Sequence, residues 1–166
     1  MESNEVVRLQ TNLGDIVVEF LEDKAPKHVE SFKKLAREGF YDGTRFHRVI
    51  PGFMIQGGDP NSKSPDRTTH GRGNPGYQIP AEFNDVKHVR GILSAARGGH
   101  DINSAGSQFF LMVTTYPSLD GQYSAFGRVA EGMDVVDKIV ALKRDRNDNP
   151  LEENPAIIEK ATVETR

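Results

Sequence analysis

Two stretches of this 166-residue chain gather residue types that could do chemistry together. The first is Phe46-His47-Arg48-Val49-Ile50-Pro51-Gly52-Phe53-Met54-Ile55-Gln56-Gly57-Gly58-Asp59; the second is Gly106-Ser107-Gln108-Phe109-Phe110-Leu111. In a strand, alternate residues share a face. Phe46, Arg48 and Ile50 then fall together, as do Met54 and Gln56 past the Pro51-Gly52 kink, and Gln108, Phe110 and Met112. One guanidinium, two carboxamides and several large apolar groups can therefore converge on one patch. Such a patch has donors, a few acceptors and an apolar floor, but no nucleophile and no poised acid–base pair. Singly, each residue has a plainer role: Arg48 as a salt-bridging surface arginine, Phe53 and Phe110 as core aromatics, Gln56 and Gln108 as polar strand faces. Only the constellation argues for function.

Other chemistries find less support. The chain has no cysteine, which excludes disulfides, thiolate nucleophiles and Cys-based metal sites. His28, His47, His70, His88 and His100 show neither an i,i+4 helical pair nor an HExxH pattern, so a metal-dependent hydrolase using Asp59 or Asp101 is disfavoured, and no metal or other cofactor is expected. Gly71-Arg72-Gly73-Asn74-Pro75-Gly76 lacks the Lys-Ser/Thr ending of a phosphate-cradling loop, and Pro75 removes a donor. A formal net charge of -3 without a clustered basic face argues against nucleic acid. No apolar run approaches a membrane span, and the acidic start Met1-Glu2-Ser3-Asn4-Glu5 lacks a signal-peptide pattern, so the expected location is cytoplasmic.

The elements that must position the patch are legible as changes of period. Val6–Thr11 and Asp15–Phe20 flank Asn12-Leu13-Gly14 and predict a β-hairpin. Pro26 opens a run in which Val29, Phe32, Leu35 and Ala36 recur at helical spacing before Gly39, predicting a helix over Pro26–Glu38. Strands are predicted at Phe46–Ile50, Phe53–Gln56, Gly91–Ala95, Gln108–Val113, Ser124–Val129 and Ile157–Val163, with a second helix over Met133–Leu142. Lys143–Asn154 reads as a surface loop, and Gly71–Pro80 as a long ordered loop. One mainly β domain over residues 1–166 follows, a barrel or a sandwich with helices outside; composition does not choose between them.

The chain resembles the cyclophilin-type peptidyl-prolyl cis/trans isomerases. Phe46–Asp59 resembles that family's signature around its catalytic arginine, and Gly106–Phe110 its second signature segment. Leu119-Asp120-Gly121, Phe126–Met133 and the opening Thr11–Ile16 resemble further family segments, in order along essentially the whole chain. The resemblance implies a closed eight-stranded antiparallel β-barrel capped by two α-helices, and isomerisation of X–Pro bonds in peptides and unfolded or partly folded proteins. It assigns Arg48 and Gln56 to catalysis, and Phe53, Met54, Ala96, Arg97, Gln108, Phe110, Leu119 and Tyr123 to substrate binding. Gln108 and the backbone of Ala96 and Arg97 would hold the residues before the proline. The rival within this reading is a non-catalytic module or chaperone that grips proline segments; Arg48 argues for catalysis, since ring binding needs only the apolar wall. There are departures from the family. Ser118 stands where many eukaryotic members carry a tryptophan, so weakened cyclosporin binding is expected. Tyr123 replaces a common histidine, Arg97 a common asparagine, and Gly98–Ala105 also differs. A monomer is expected, with broad tolerance of the residue before proline for want of a deep second pocket.

Overall fold

The computed structural model describes residues 4–166. Its described elements run β1 (Glu5–Thr11), β2 (Gly14–Phe20), α1 (Pro26–Arg37), β3 (Arg48–Ile50), β4 (Met54–Gly57), β5 (Ile92–Ala95), β6 (Phe109–Met112), β7 (Ala125–Glu131), α2 (Met133–Val140) and β8 (Ile158–Thr165). The eight strands form one antiparallel sheet in the order β3-β4-β6-β5-β7-β2-β1-β8. The expected hairpin and both helices are present, within two residues of their predicted ends.

The expectation of a closed barrel is corrected. The sheet curls into a half-barrel whose end strands, β3 and β8, do not pair. The reason lies at β3, which is three residues long. Its Val49 N–H donates to the Asp148 carbonyl (2.7 Å), so the loop after α2 takes that edge. The residues ahead of β3 reach the start of β8 through an isolated bridge, Arg45 with Ile157, and the backbone bonds around it: Phe46 N–H to Ala156 O, Ile158 N–H to Thr44 O and Gly43 N–H to Ile158 O. An unpaired edge is thus covered by a loop rather than removed by closure.

Strand pleating sorts the side chains into two faces. Val49, Ile55, Leu111 and Leu93 oppose one another in register across β3, β4, β6 and β5, and all are fully buried in the main core. Helix α1 lays Val29, Phe32, Leu35 and Ala36 on that core. Phe32 is its hub, with ring centroids 5.0 Å from Tyr41, 5.3 Å from Phe109 and 5.5 Å from Phe126. Phe46 belongs to this core too, 6.0 Å from Phe109, because β3 begins two residues after it; the predicted sharing of a face with Arg48 does not hold.

Helix α1 has Ala25 at its N-terminal boundary, with no side chain to cap it. Glu82, distant in sequence, supplies the cap. Its carboxylate accepts from Lys27 N (3.2 Å) and His28 N (2.8 Å) and meets His28 Nδ1 at 2.6 Å. This ties the 77–90 segment to the helix, and the same segment carries His88 beneath the outer face of the sheet. The turn into α2 depends on Gly132, at φ 92°, where a Cβ would lie 2.2 Å from the Asp15 carbonyl.

Candidate active site

The other sheet face carries the chemistry. Arg48 pairs in register with Gln56, Gln56 with Phe110, and Phe110 with Ser94, giving one row across β3, β4, β6 and β5. The next row is Ile50, Met54 and Met112. Met54, Phe110 and Met112 are buried in a second apolar cluster with Ile50, Phe53, Ala96, Leu119 and Tyr123 against it. A pocket of about 130 Å³ opens over this cluster, walled by Arg48, Phe53, Met54, Gln56, Ala96, Arg97, Phe110, Leu119 and Tyr123.

Nine of the ten residues singled out from the sequence therefore line one pocket. The tenth, Gln108, stands just behind it and fixes the polar edge. Gln108 Nε2 donates to the carbonyls of Gly71 (3.0 Å) and Gly73 (3.1 Å), while its Oε1 accepts from Gln56 Nε2 (3.0 Å). Gln56 Oε1 then faces Arg48 Nη1 at 3.4 Å. Two carbonyls, which can only accept, set the direction of both amides and end the chain on the guanidinium. The glycine loop thus presents carbonyls to Gln108. Gly73 is required there because a Cβ would lie 2.1 Å from Asp59 Oδ1.

The apolar wall has supports that the sequence did not disclose. His88 is buried and its ring stacks on Phe110, centroids 6.1 Å apart. Its Nε2 meets Ser94 Oγ (2.9 Å), and Asp120 Oδ1 accepts from its backbone N–H (2.7 Å) while lying 3.2 Å from its Nδ1. Burial lowers the His88 pKa, opposed by the Asp120 carboxylate; the backbone N–H of His88 heads the causes that lower that of Asp120. Because Asp120 follows Leu119, this contact also seats Leu119. Leu119-Asp120-Gly121 was visible as a motif, but its partner 32 positions away was not.

Tyr116 is the second unforeseen residue. Its exposed ring lies 4.6 Å from that of Phe53 and backs that wall residue from outside the pocket lining. Tyr123 packs edge-on against Phe110 at 5.6 Å, and the Arg97 guanidinium lies 4.5 Å above the Tyr123 ring. Arg97 is pinned there by the Gln122 carbonyl, 2.8 Å from Nη2. Its side chain, and not only its backbone, thus forms part of the wall.

Two expectations change. The Ala96 N–H already donates to the Gln108 carbonyl (3.0 Å), so it is not free to hold a substrate backbone. A second cavity does exist: about 490 Å³, reached past Gln56, Ala96 and Gln108 and bounded by Gly73, Tyr77 and Ser104. It escaped sequence reading because the Gly71–Pro80 and Gly98–Ala105 loops build it jointly, joined by the Ile79–Ala105 bridge.

Comparison with known proteins gives a consistent answer. Residues 6–163 match the family described as cyclophilin type peptidyl-prolyl cis-trans isomerase/CLD. A protein of Brucella abortus named as a probable peptidyl-prolyl cis-trans isomerase is 47% identical over 163 residues, covering 95% of this chain and 82% of its own. A peptidyl-prolyl cis-trans isomerase of Schizosaccharomyces pombe is 44% identical over 151 residues, covering 88% of this chain and 92% of its own. The crystal structure of a Cryptosporidium parvum cyclophilin type isomerase, obtained in the presence of the dipeptide Ala-Pro, superposes with a TM-score of 0.86 at 32% identity, covering 97% of this chain and 99% of that one. The row Arg48–Gln56–Phe110, the pocket over it and the match from residue 6 to residue 163 place this chain in the family of cyclophilin-type peptidyl-prolyl cis-trans isomerases.

Proposed function

We propose that this chain catalyses cis/trans isomerisation of X–Pro peptide bonds, with Arg48 as the catalytic residue. Cis and trans X–Pro differ by about 0.5–1 kcal/mol but exchange over tens to hundreds of seconds. The barrier, about 18–20 kcal/mol, is the loss of amide resonance on twisting. No covalent bond breaks, so the site need only bind the twisted amide better than either planar form. Twisting makes the prolyl nitrogen pyramidal and gives it a lone pair. A guanidinium donating to that nitrogen opposes its conjugation with the carbonyl.

The observation that carries the reading is the setting of Arg48. Among the described residues it has no carboxylate partner, and the Gln56–Gln108 chain holds it at the lip of an apolar pocket. Phe53, Met54, Phe110 and Leu119 hold the proline ring while the preceding carbonyl swings. Gln108 holds Gln56, and Gln56 orients Arg48; the strand edge at Ala96–Arg97 leads the residues before the proline into the second cavity.

The test is NMR exchange spectroscopy on a short X–Pro peptide. Wild type is expected to accelerate exchange, and Arg48→Ala to lose about 10²–10³-fold, the scale for removing a preorganised donor. Binding of the peptide without acceleration would make this chain a proline-binding module instead. The same reading includes a monomer and weak cyclosporin binding. Ser118 is exposed beside Leu119 and offers only a hydroxymethyl group to that ligand. Calorimetric titration is expected to show Ser118→Trp binding cyclosporin more tightly than wild type; equal affinities would remove Ser118 as the cause. Sedimentation checks the monomer.

A further inference from the structure

We propose that a third cavity, on the outer flank of Arg48, selects an anionic side chain, a carboxylate or a phosphate ester, on the residue that follows the proline. The inference rests on the isomerase reading, which sends the residues before the proline toward Ala96 and Gln108 and leaves this flank for those after it. The cavity measures about 360 Å³ and shares Arg48 and Gln56 with the proline pocket. His47, His70, Arg72 and Asn149 are among its other walls, and Arg72 stands between this cavity and the second one, so a Glu-Pro peptide is the control for the side on which the anion is read.

Its charges are not balanced. Asp145 lines it, but that carboxylate is occupied: Oδ2 by Arg67 Nη2 (3.1 Å), Oδ1 by the backbone N–H groups of Asn147 (2.8 Å) and Asn149 (3.1 Å). Arg67 in turn reaches Glu152 and the carbonyls of Asn149 and Pro150. Asp59 is buried behind the wall, its oxygens taken by Asn61 N and Gly71 N. That leaves Arg48 and Arg72, neither paired with a carboxylate among the described residues, and Arg72 is exposed. His47, 6% exposed, lines the same cavity and keeps a buried Nδ1 without a partner. Arg72 offers an open planar fork to an oxyanion, and Arg48, held by Gln56 and engaged with the prolyl nitrogen, adds its positive charge at the inner edge; together they make a recognition site for a carboxylate or phosphate.

The probes are short peptides carrying Pro-Glu, Pro-Gln, Pro-phosphoserine or Pro-Ser, and a Glu-Pro control, titrated by chemical-shift perturbation and followed by exchange spectroscopy. Wild type is expected to bind Pro-Glu about threefold tighter than Pro-Gln at low salt, the scale of one solvent-screened ion pair, and to favour phosphoserine over serine at least as strongly. High salt should erase the preference, Arg72→Lys should keep most of it, and Arg72→Glu should abolish or invert it. A larger gain for phosphoserine than for glutamate would name phosphate as the preferred source of the anion. Equal affinities for the charged and neutral peptides, a preference that survives Arg72→Glu, or one confined to Glu-Pro would overturn the proposal. Charge selectivity in binding without faster exchange would sustain it while removing the isomerase activity.

Discussion

At the scale of single residues, position along a hydrogen-bond chain decides what a side chain does. Gln108 was chosen from sequence as a substrate contact, yet three of its amide hydrogen bonds are internal. Its main effect should therefore pass through Gln56 to Arg48. Gln108→Leu removes those bonds and leaves Gln56 free to turn. We expect kcat to fall about tenfold, the equivalent of one or two net hydrogen bonds, with KM little changed. A raised KM with kcat preserved would instead mean that Gln108 meets substrate directly.

At the scale of elements, the segment between the glycine loop and β5 works as a strap. Glu82 caps α1, Asn84 Nδ2 donates to the Ala125 carbonyl (3.0 Å) at the head of β7, and His88 underlies Phe110. A helix N-terminus left without its acceptor exposes unsatisfied N–H groups, and a carboxylate there also suits the helix dipole. Glu82→Ala is expected to cost about 1–2 kcal/mol in urea denaturation, the range for losing an N-terminal cap. Retained Arg48-dependent exchange activity in this variant would separate the strap's role in stability from the chemistry; an unchanged midpoint would show that the cap contributes nothing.

At the scale of the whole molecule, three buried imidazoles make the fold sensitive to acid. Burial is the largest cause lowering the pKa of His28, His47 and His88, and it takes His47 from 6.5 to about 4. A histidine depressed in the folded state binds its proton more readily once unfolded. Stability is then complete above the unfolded value, 6.5, and drains away as pH falls toward the folded value. His47 alone accounts for a loss on the order of 3 kcal/mol across that window. The urea midpoint should be level above neutrality and fall steeply between pH 6.5 and about 4. His47→Asn should flatten that fall by about one proton's worth of slope; an unaltered slope would remove His47 as its source.

The amino-acid sequence by itself determined the period of each element and the order of the signature residues. Strand alternation put Met54 beside Gln56 and Phe110 beside Met112, and helical spacing put Phe32 and Leu35 inward, because both follow from backbone geometry that neighbours in the chain already share. Resemblance then carried nine of the ten assigned residues into one pocket. What depended on residues far apart in the chain was hidden: the loop that covers β3 in place of a closing β8, the Glu82 cap, His88 under Phe110, the cavity beyond Gln56 and Gln108, and the cavity on the outer flank of Arg48. Each is a contact between segments whose approach is fixed by the curl of the sheet and the burial of its inner face, and no local pattern records where a loop will land once that core has packed.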